Sequence, residues 1–249
     1  MINLSMEIPT AYLNHWSPWC DLDFALAHRV LEDKAYREHY KNRTTGRELI
    51  LDNSMHELGF PLPTSDLKRA ADMVDADIVV APDRLGEVEN NRQWFHETYD
   101  ALSSSYCIAV VMCGQDAEAR RNFLTDVCEA DVLMLPFREP RLAWFEENRT
   151  FIRQNWNRIH LLGVSELAEL IAWSMIASTE PFHTERQVKW SVDTAKAVKW
   201  GLLLRHLDDG SSLRGAPMSS KDLLDVHSLS MDQQRVIREN THILRTSCV

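Results

Sequence analysis

Short apolar runs that close on a polar or glycine residue recur along the chain, and helical spacing follows each one. The sharpest is Leu49-Ile50-Leu51-Asp52-Asn53-Ser54. Its companions are Ile78-Val79-Val80-Ala81-Pro82-Asp83, Ile108-Ala109-Val110-Val111-Met112-Cys113-Gly114-Gln115, Ile159-His160-Leu161-Leu162-Gly163 and Trp190-Ser191-Val192-Asp193-Thr194. Strands alternating with helices predict a parallel α/β architecture, here a TIM-like (β/α) barrel with its chemistry at the C-terminal strand ends.

The same pattern predicts the elements in order. An opening strand is expected from about Ile8 to Trp16, and a helix over Asp21–Tyr40, where Leu22, Ala25, Leu26, Arg29 and Val30 recur at helical spacing. After the strand ending at Asp52, Pro61 to Ser65 forms a loop with an N-cap, and Leu67, Ala70, Ala71 and Val74 make the next helix's apolar stripe. Strands at 77–82, 107–112, 132–135, 158–162 and 188–192 alternate with helices at 87–102, 116–129, 140–156, 165–178 and 194–207. Asp116 reads as an N-cap and Glu180 to Gln187 as a loop. No eighth strand is evident, so the barrel is expected to be irregular at its last strand. The expected organisation is a barrel domain over 1–207 and an extension over 208–249, a loop followed by two short polar helices.

Composition narrows the class without changing the fold. At 249 residues, with 45% hydrophobic and 26% charged, the chain suits one barrel of roughly 250 residues. A net charge of −10 argues against a sequence-independent nucleic-acid coat, though not against a local basic patch. Cys20, Cys107, Cys113, Cys128 and Cys248 show no CxxC spacing, which points to reduced thiols in a cytoplasmic protein. Neither a targeting segment nor a membrane span is expected.

Three strand ends carry an aspartate. Asp52 and Asp193 form the first candidate catalytic pair, because a barrel brings distant strand ends to one mouth and two carboxylates there can divide proton-transfer roles. Helix capping is the competing account for both, Asp193 standing directly before a helix start and Asp52 before a helix delayed by Pro61 and Pro63. Asp83 is placed to accept from a base edge or to cap a helix near Gly86. Cys113, Gly114 and Gln115 offer a thiol, a close backbone approach and an amide, while Gly163 offers a flat surface for a ligand ring. His160 reads as a satisfied core histidine, and His56-Glu57 lacks the second histidine of a metal motif. Arg84, Arg138 and Arg141 are candidate phosphate contacts. Arg37, Lys41, Arg43 and Arg47 are the best local candidates for a nucleic-acid backbone contact.

In order, the strand-end motifs at Asp52-Asn53-Ser54 (with Glu57 and Gly59), Asp83, Cys113-Gly114, Leu162-Gly163 and Asp193-Thr194 resemble the tRNA-guanine transglycosylase superfamily. They are most similar to its compact phage and bacterial members that insert 7-deazaguanines into DNA. The resemblance spans about Asp21 to Gly201. It implies Asp52 as general acid/base and Asp193 as a nucleophile holding a covalent glycosyl intermediate. It places Asn53, Ser54, Asp83, Cys113, Gly114, Gln115, Leu162 and Gly163 around the base. An alternative register puts Ala177 at the nucleophile position.

The implied partners are DNA, rather than tRNA, and a base such as 7-cyano-7-deazaguanine. No cofactor or metal is implied, the family's Cys/His zinc site is missing, and a homodimer is compatible. Ser54 replaces the family's usual glycine, and Cys113 its usual glutamine. Action on free nucleosides or nucleotides and a barrel acting as a binding subunit are the rival expectations.

Overall fold

The computed structural model describes residues 1–84, 86–137, 141–164, 166–179, 188–203, 205–207, 223 and 225–248. Eight parallel strands form one sheet: β1 (Ile2–Met6), β2 (Asp23–Leu26), β3 (Leu49–Asp52), β4 (Ile78–Val80), β5 (Cys107–Val111), β6 (Val132–Leu135), β7 (Arg158–Leu161) and β8 (Lys189–Thr194). Their order is β1-β8-β7-β6-β5-β4-β3-β2. The two ends of that order meet at Leu4, whose carbonyl accepts the Asp21 N–H at 2.8 Å and whose N–H donates to Asp21 Oδ2 at 3.0 Å. The sheet is thereby a nearly closed TIM barrel, the fold that the strand and helix alternation predicts.

Helices α1 (Leu13–Trp16), α2 (Ala27–Glu32), α3 (Lys34–Lys41), α4 (Met55–Leu58), α5 (Thr64–Val74), α6 (Val88–Leu102), α7 (Ala117–Asp126), α8 (Arg141–Asn155), α9 (Leu167–Thr179), α10 (Lys196–Leu202) and α11 (Met231–Ser247) surround it. The apolar stripe of α5 is fully buried at Leu67, Ala70, Ala71 and Val74. Asp116 caps α7 by accepting the Ala119 N–H at 2.8 Å, whereas α5 starts after Pro63 with no side-chain cap. None of the described helices is long and apolar enough to cross a membrane.

The sequence expectations fail mainly at the two ends. The first strand is Ile2–Met6, while the Ile8–Trp16 segment holds short helical turns. The expected helix over Asp21–Tyr40 contains β2 followed by α2 and α3. Asp-Phe-Ala-Leu is buried at all four positions, and a short buried strand running directly into a helix shares the helix's apolar spacing. β1 and β2 are therefore the strands missing from the sequence reading. Where two short polar helices are expected near the C-terminus, the described residues include one long helix, α11, of 17 residues with a Ser230–Gln233 capping box. Its Val236, Ile237 and Leu244 are buried, and the Cys248 carbonyl accepts the Ile2 N–H at 2.8 Å. The expected loops at 180–187 and 208–217 lie outside the described residues.

Between sheet and helices, Phe145, Trp173 and Trp190 pack with ring centroids 5.2–5.4 Å apart. Phe145 is fully buried, so Phe145→Ala leaves a cavity between α8, α9 and β8. It is expected to cost about 3–5 kcal/mol. Urea denaturation of the two proteins measures this, and a cost below about 1 kcal/mol would contradict the packing described.

Candidate functional site

Period-2 alternation sends Glu7, Asp52 and Asp193, which end or follow their strands, toward the barrel mouth. There they line one pocket of about 560 Å³ with Glu57, Asp83 and Lys199. Phe24, Leu26, Phe137 and Val164 supply its apolar wall. A pocket of that volume suits a small molecule.

The Asp52-Asn53-Ser54 corner builds one side of the pocket. Asp52 Oδ2 accepts the Ser54 N–H at 2.8 Å, and Asn53 Oδ1 accepts the Met55 N–H at 2.8 Å. These two Asx turns wind the chain into α4 through Ser54 in the left-handed region, at φ 63°. Such a conformation costs a non-glycine residue about 1–3 kcal/mol. The Ser54 hydroxyl is held by the His28 N–H at 3.1 Å. The turn carries His56 and Glu57 onto the pocket. The Asn53 amide donates to the Ala81 carbonyl at 2.8 Å and to Asp83 Oδ1 at 2.9 Å, tying the β3 and β4 ends together.

The opposite side is built on β7 and β8. Asp193 Oδ1 accepts the Gly163 N–H at 2.9 Å and lies 3.1 Å from His160 Nε2. His160 Nδ1 lies 2.8 Å from Ser191 Oγ, and the ring stacks on Phe24 at 5.6 Å. Asp193 does not cap α10, which starts after Ala195 without a side-chain cap. Asp83 does not cap α6 either, since Glu87 holds that position.

Electrostatically the mouth is crowded with acid. Burial, then the Glu57 charge, pushes the Asp52 carboxyl well above its usual range; Asp83 and Asp193 add to the effect, and the Ser54 N–H opposes it. Glu57 is raised to about 7 by burial and then by Glu7, with Lys199 opposing. Asp83 is raised to about 6 by burial, against the Asn53 hydrogen bond. Glu57 Oε2 is buried without a hydrogen-bond partner among the described residues. No set of three or more His, Cys, Asp or Glu side chains among the described residues is arranged to hold a metal ion.

Of the residues read from the sequence, Asp52, Asn53, Asp83, Leu162, Gly163 and Asp193 line the mouth together. Ser54, Cys113, Gly114 and Gln115 are not among its lining residues. Ser54 is fully buried beneath the corner. Gly114 is a packing glycine: at φ 143° an added Cβ would meet Arg120 N at 2.5 Å. Burial raises the Cys113 thiol above its usual range, opposite to an activated nucleophile.

Arg37, Arg43 and Arg47 of the basic cluster are engaged within the fold. Arg43 bonds the Val74 and Asp75 carbonyls, Arg47 pairs with Asp23, and Arg37 bonds the Val30 carbonyl. Arg141 is buried against Glu169 and the Leu135 and Leu162 carbonyls, so it is no phosphate contact. Arg84 borders the mouth and pairs with Glu87; Arg138 lies outside the described residues. Ala177 sits within α9, so the alternative register finds no strand end there.

Sequence reasoning misses Glu7, Glu57 and Lys199 as site residues. Glu7 follows a strand that the apolar pattern places too late. Glu57 lies two residues beyond a turn whose geometry is invisible in sequence. Lys199 is one surface-like lysine on α10.

No protein-family model matches the chain, and comparison with characterised proteins gives no match. Solved structures do match. KGPDC from Streptococcus mutans, a TIM-barrel decarboxylase, aligns with TM-score 0.51 at 10% identity over 99% of this chain and 98% of that one. A second structure of KGPDC from Streptococcus mutans, a ligand complex, aligns with TM-score 0.49 at 9% identity over 99% of each chain. At that identity the likeness is one of fold. The first match is to KGPDC and no family model matches, and the transglycosylase resemblance is overturned on that finding, and with it the exchange of guanine for a 7-deazaguanine in DNA. The physical reason is that an apolar run, a polar or glycine turn and a helix describe any β/α junction. The order of such motifs specifies a barrel before it specifies a family.

Proposed function

We propose that this chain is a barrel enzyme that moves protons on a small hydroxyl- and carbonyl-bearing molecule held at the C-terminal mouth, the elementary chemistry of isomerases and lyases. The supporting observation is the convergence of Asp52, Glu57 and Asp83 with carboxyls raised toward neutrality. General acids and bases work best when their pKa lies near the working pH. Hydroxyl groups suit a wall of carboxyl acceptors, and the apolar residues exclude water from the reacting carbon.

The roles follow from the environments. Glu57 as carboxylate takes a proton from carbon next to the substrate carbonyl, and the C–H electron pair moves toward the carbonyl oxygen. Asp52, held neutral, gives its proton to that oxygen and yields an enediol. Reversal at the neighbouring carbon completes an isomerisation; a carboxyl group on the carbon next to the carbonyl would leave as carbon dioxide in place of the proton, its C–C electron pair moving toward the carbonyl oxygen. Lys199, which opposes the rise in Glu57, stabilises the developing negative charge. Decarboxylation is the chemistry of the KGPDC barrel, and the likeness in fold adds support only at that level.

The test is proton exchange in deuterated water. Sugars, sugar phosphates and keto acids are incubated with the protein, and loss of the proton next to the carbonyl is followed by NMR. Exchange in at least one compound, lost in Asp52→Asn and Glu57→Gln, is the expected result. Exchange that survives both substitutions, or none in any compound, would overturn the reading.

A further inference from the structure

The interior of the barrel holds a polar line that the proposed chemistry does not use. A second cavity, of about 380 Å³, opens at the N-terminal face of the barrel. Asn3, Glu48, Arg158, Lys189 and Ser191 are among its lining residues. Ser191 is part-exposed there, whereas His160 is fully buried and Asp193 is 4% exposed. Ser191 Oγ lies 2.8 Å from His160 Nδ1, and His160 Nε2 lies 3.1 Å from Asp193 Oδ1. Asp193 lines the mouth on the far side. One imidazole thus bridges a hydroxyl in the lower cavity and a carboxyl in the upper one through the barrel interior.

The tautomer follows from the bonding. Asp193 Oδ1 already accepts the Gly163 N–H, so it presents a lone pair to the ring and Nε2 carries the ring proton. Nδ1 then accepts, and the Ser191 hydroxyl donates to it. Every hydrogen bond in the line points the same way, from the lower cavity to the mouth. Stacking on Phe24 holds the ring in register.

We infer that Ser191, His160 and Asp193 form a proton-conducting line connecting solvent at the N-terminal face with the carboxyl cluster at the mouth. The transfer balances. Water in the lower cavity gives a proton to Ser191 Oγ, leaving hydroxide that passes to bulk solvent, as the Oγ–H proton crosses to Nδ1. The Nε2 proton crosses to the Asp193 carboxylate. One proton has entered and one has arrived, and the ring has passed from the Nε2–H to the Nδ1–H form. The reverse transfers carry one proton back out and restore the ring, so the line can both supply and withdraw one proton at the mouth. The inference rests on the proposed function for its purpose: the charge of Asp193 acts on Asp52 and Glu57, so the line resets their proton count while substrate covers the mouth. His160 is a positioning and relay residue here, not one that touches substrate.

The experiment needs no substrate, so its outcome is independent of the reading of the mouth. With histidine rings labelled with nitrogen-15, NMR reports which ring nitrogen carries the proton and how fast that proton exchanges with water. The His160 signal is identified by its loss in His160→Gln. The expected result is an Nε2–H ring whose exchange slows at least tenfold in Ser191→Ala. The isosteric pair Ser191→Thr and Ser191→Val, differing by hydroxyl against methyl, is expected to exchange at the fast and the slow rate respectively. An Nδ1–H ring in the unmodified protein, equal exchange in Ser191→Ala, or equal exchange in the Thr and Val proteins would overturn the inference. The tautomer is read on the unmodified protein, so it tests the line even if a variant does not fold.

Discussion

Asp52→Asn is expected to lower proton-transfer turnover by about 100- to 10,000-fold while leaving the barrel folded. The amide keeps the shape of the carboxyl and can still meet the Ser54 N–H through its oxygen, so the turn into α4 survives. What it loses is the transferable proton. Burial and three neighbouring acids push the Asp52 carboxyl well above its usual range, which favours the protonated form that can donate. Glu57→Gln removes the complementary base and is expected to have a comparable effect. Because the two act as one unit, the double substitution should cost little more than the larger single one. The measurement is the deuterium-exchange rate of the most active compound, with circular dichroism confirming the fold. Losses that add in full would show that the two carboxyls act separately.

The second large effect is on stability against pH. A carboxyl whose folded pKa lies above its unfolded value holds more protons folded than unfolded between the two values. Unfolding free energy therefore falls as pH rises across that interval. For Glu57 the interval runs from 4.5 to about 7, and for Asp83 from 3.8 to about 6. The stabilisation is complete below the lower values and lost as pH passes the upper ones. Discounted for the partial exposure of both groups, the protein is expected to be about 2–4 kcal/mol more stable at pH 5 than at pH 8. Asp52, raised in the same direction, steepens the slope. Glu57→Gln should flatten it and make the protein more stable than the unmodified chain at pH 8. Urea midpoints at the two pH values decide this, and equal stability at both would show that the mouth does not strain its acids.

The failed family resemblance and the placing of Asp52 and Asp193 at one mouth share a cause. Asp52 and Asp193 were legible because each closes an apolar run, and strand closure sets their common mouth. Their use as a transglycosylase pair needed a base pocket from Cys113, Gly114 and Gln115. The structure turns that strand end away: Gly114 packs on Arg120, and its carbonyl accepts the Arg120 Nε–H at 3.1 Å. The basic cluster before β3 reads as a surface in sequence, yet Arg43 and Arg47 are spent on carbonyls and on Asp23. Charge in a sequence carries no sign of whether a partner lies inside the fold.

Local patterning by itself determined the barrel, the inner strands from β3 to β8 and the buried stripe of α5, because strand alternation and helical period are properties of adjacent residues. It misplaced β1 and β2, where a short buried strand and the start of a helix share one apolar spacing. Only the tertiary structure decided which acids meet. Glu7, the neighbouring pair Asp52 and Glu57, Asp83 and Asp193 lie far apart along the chain, and closing eight strands into one barrel brings them to the same mouth. Their proton affinities follow from that convergence, since burial and mutual repulsion are set by distances through space and not by spacing along the sequence.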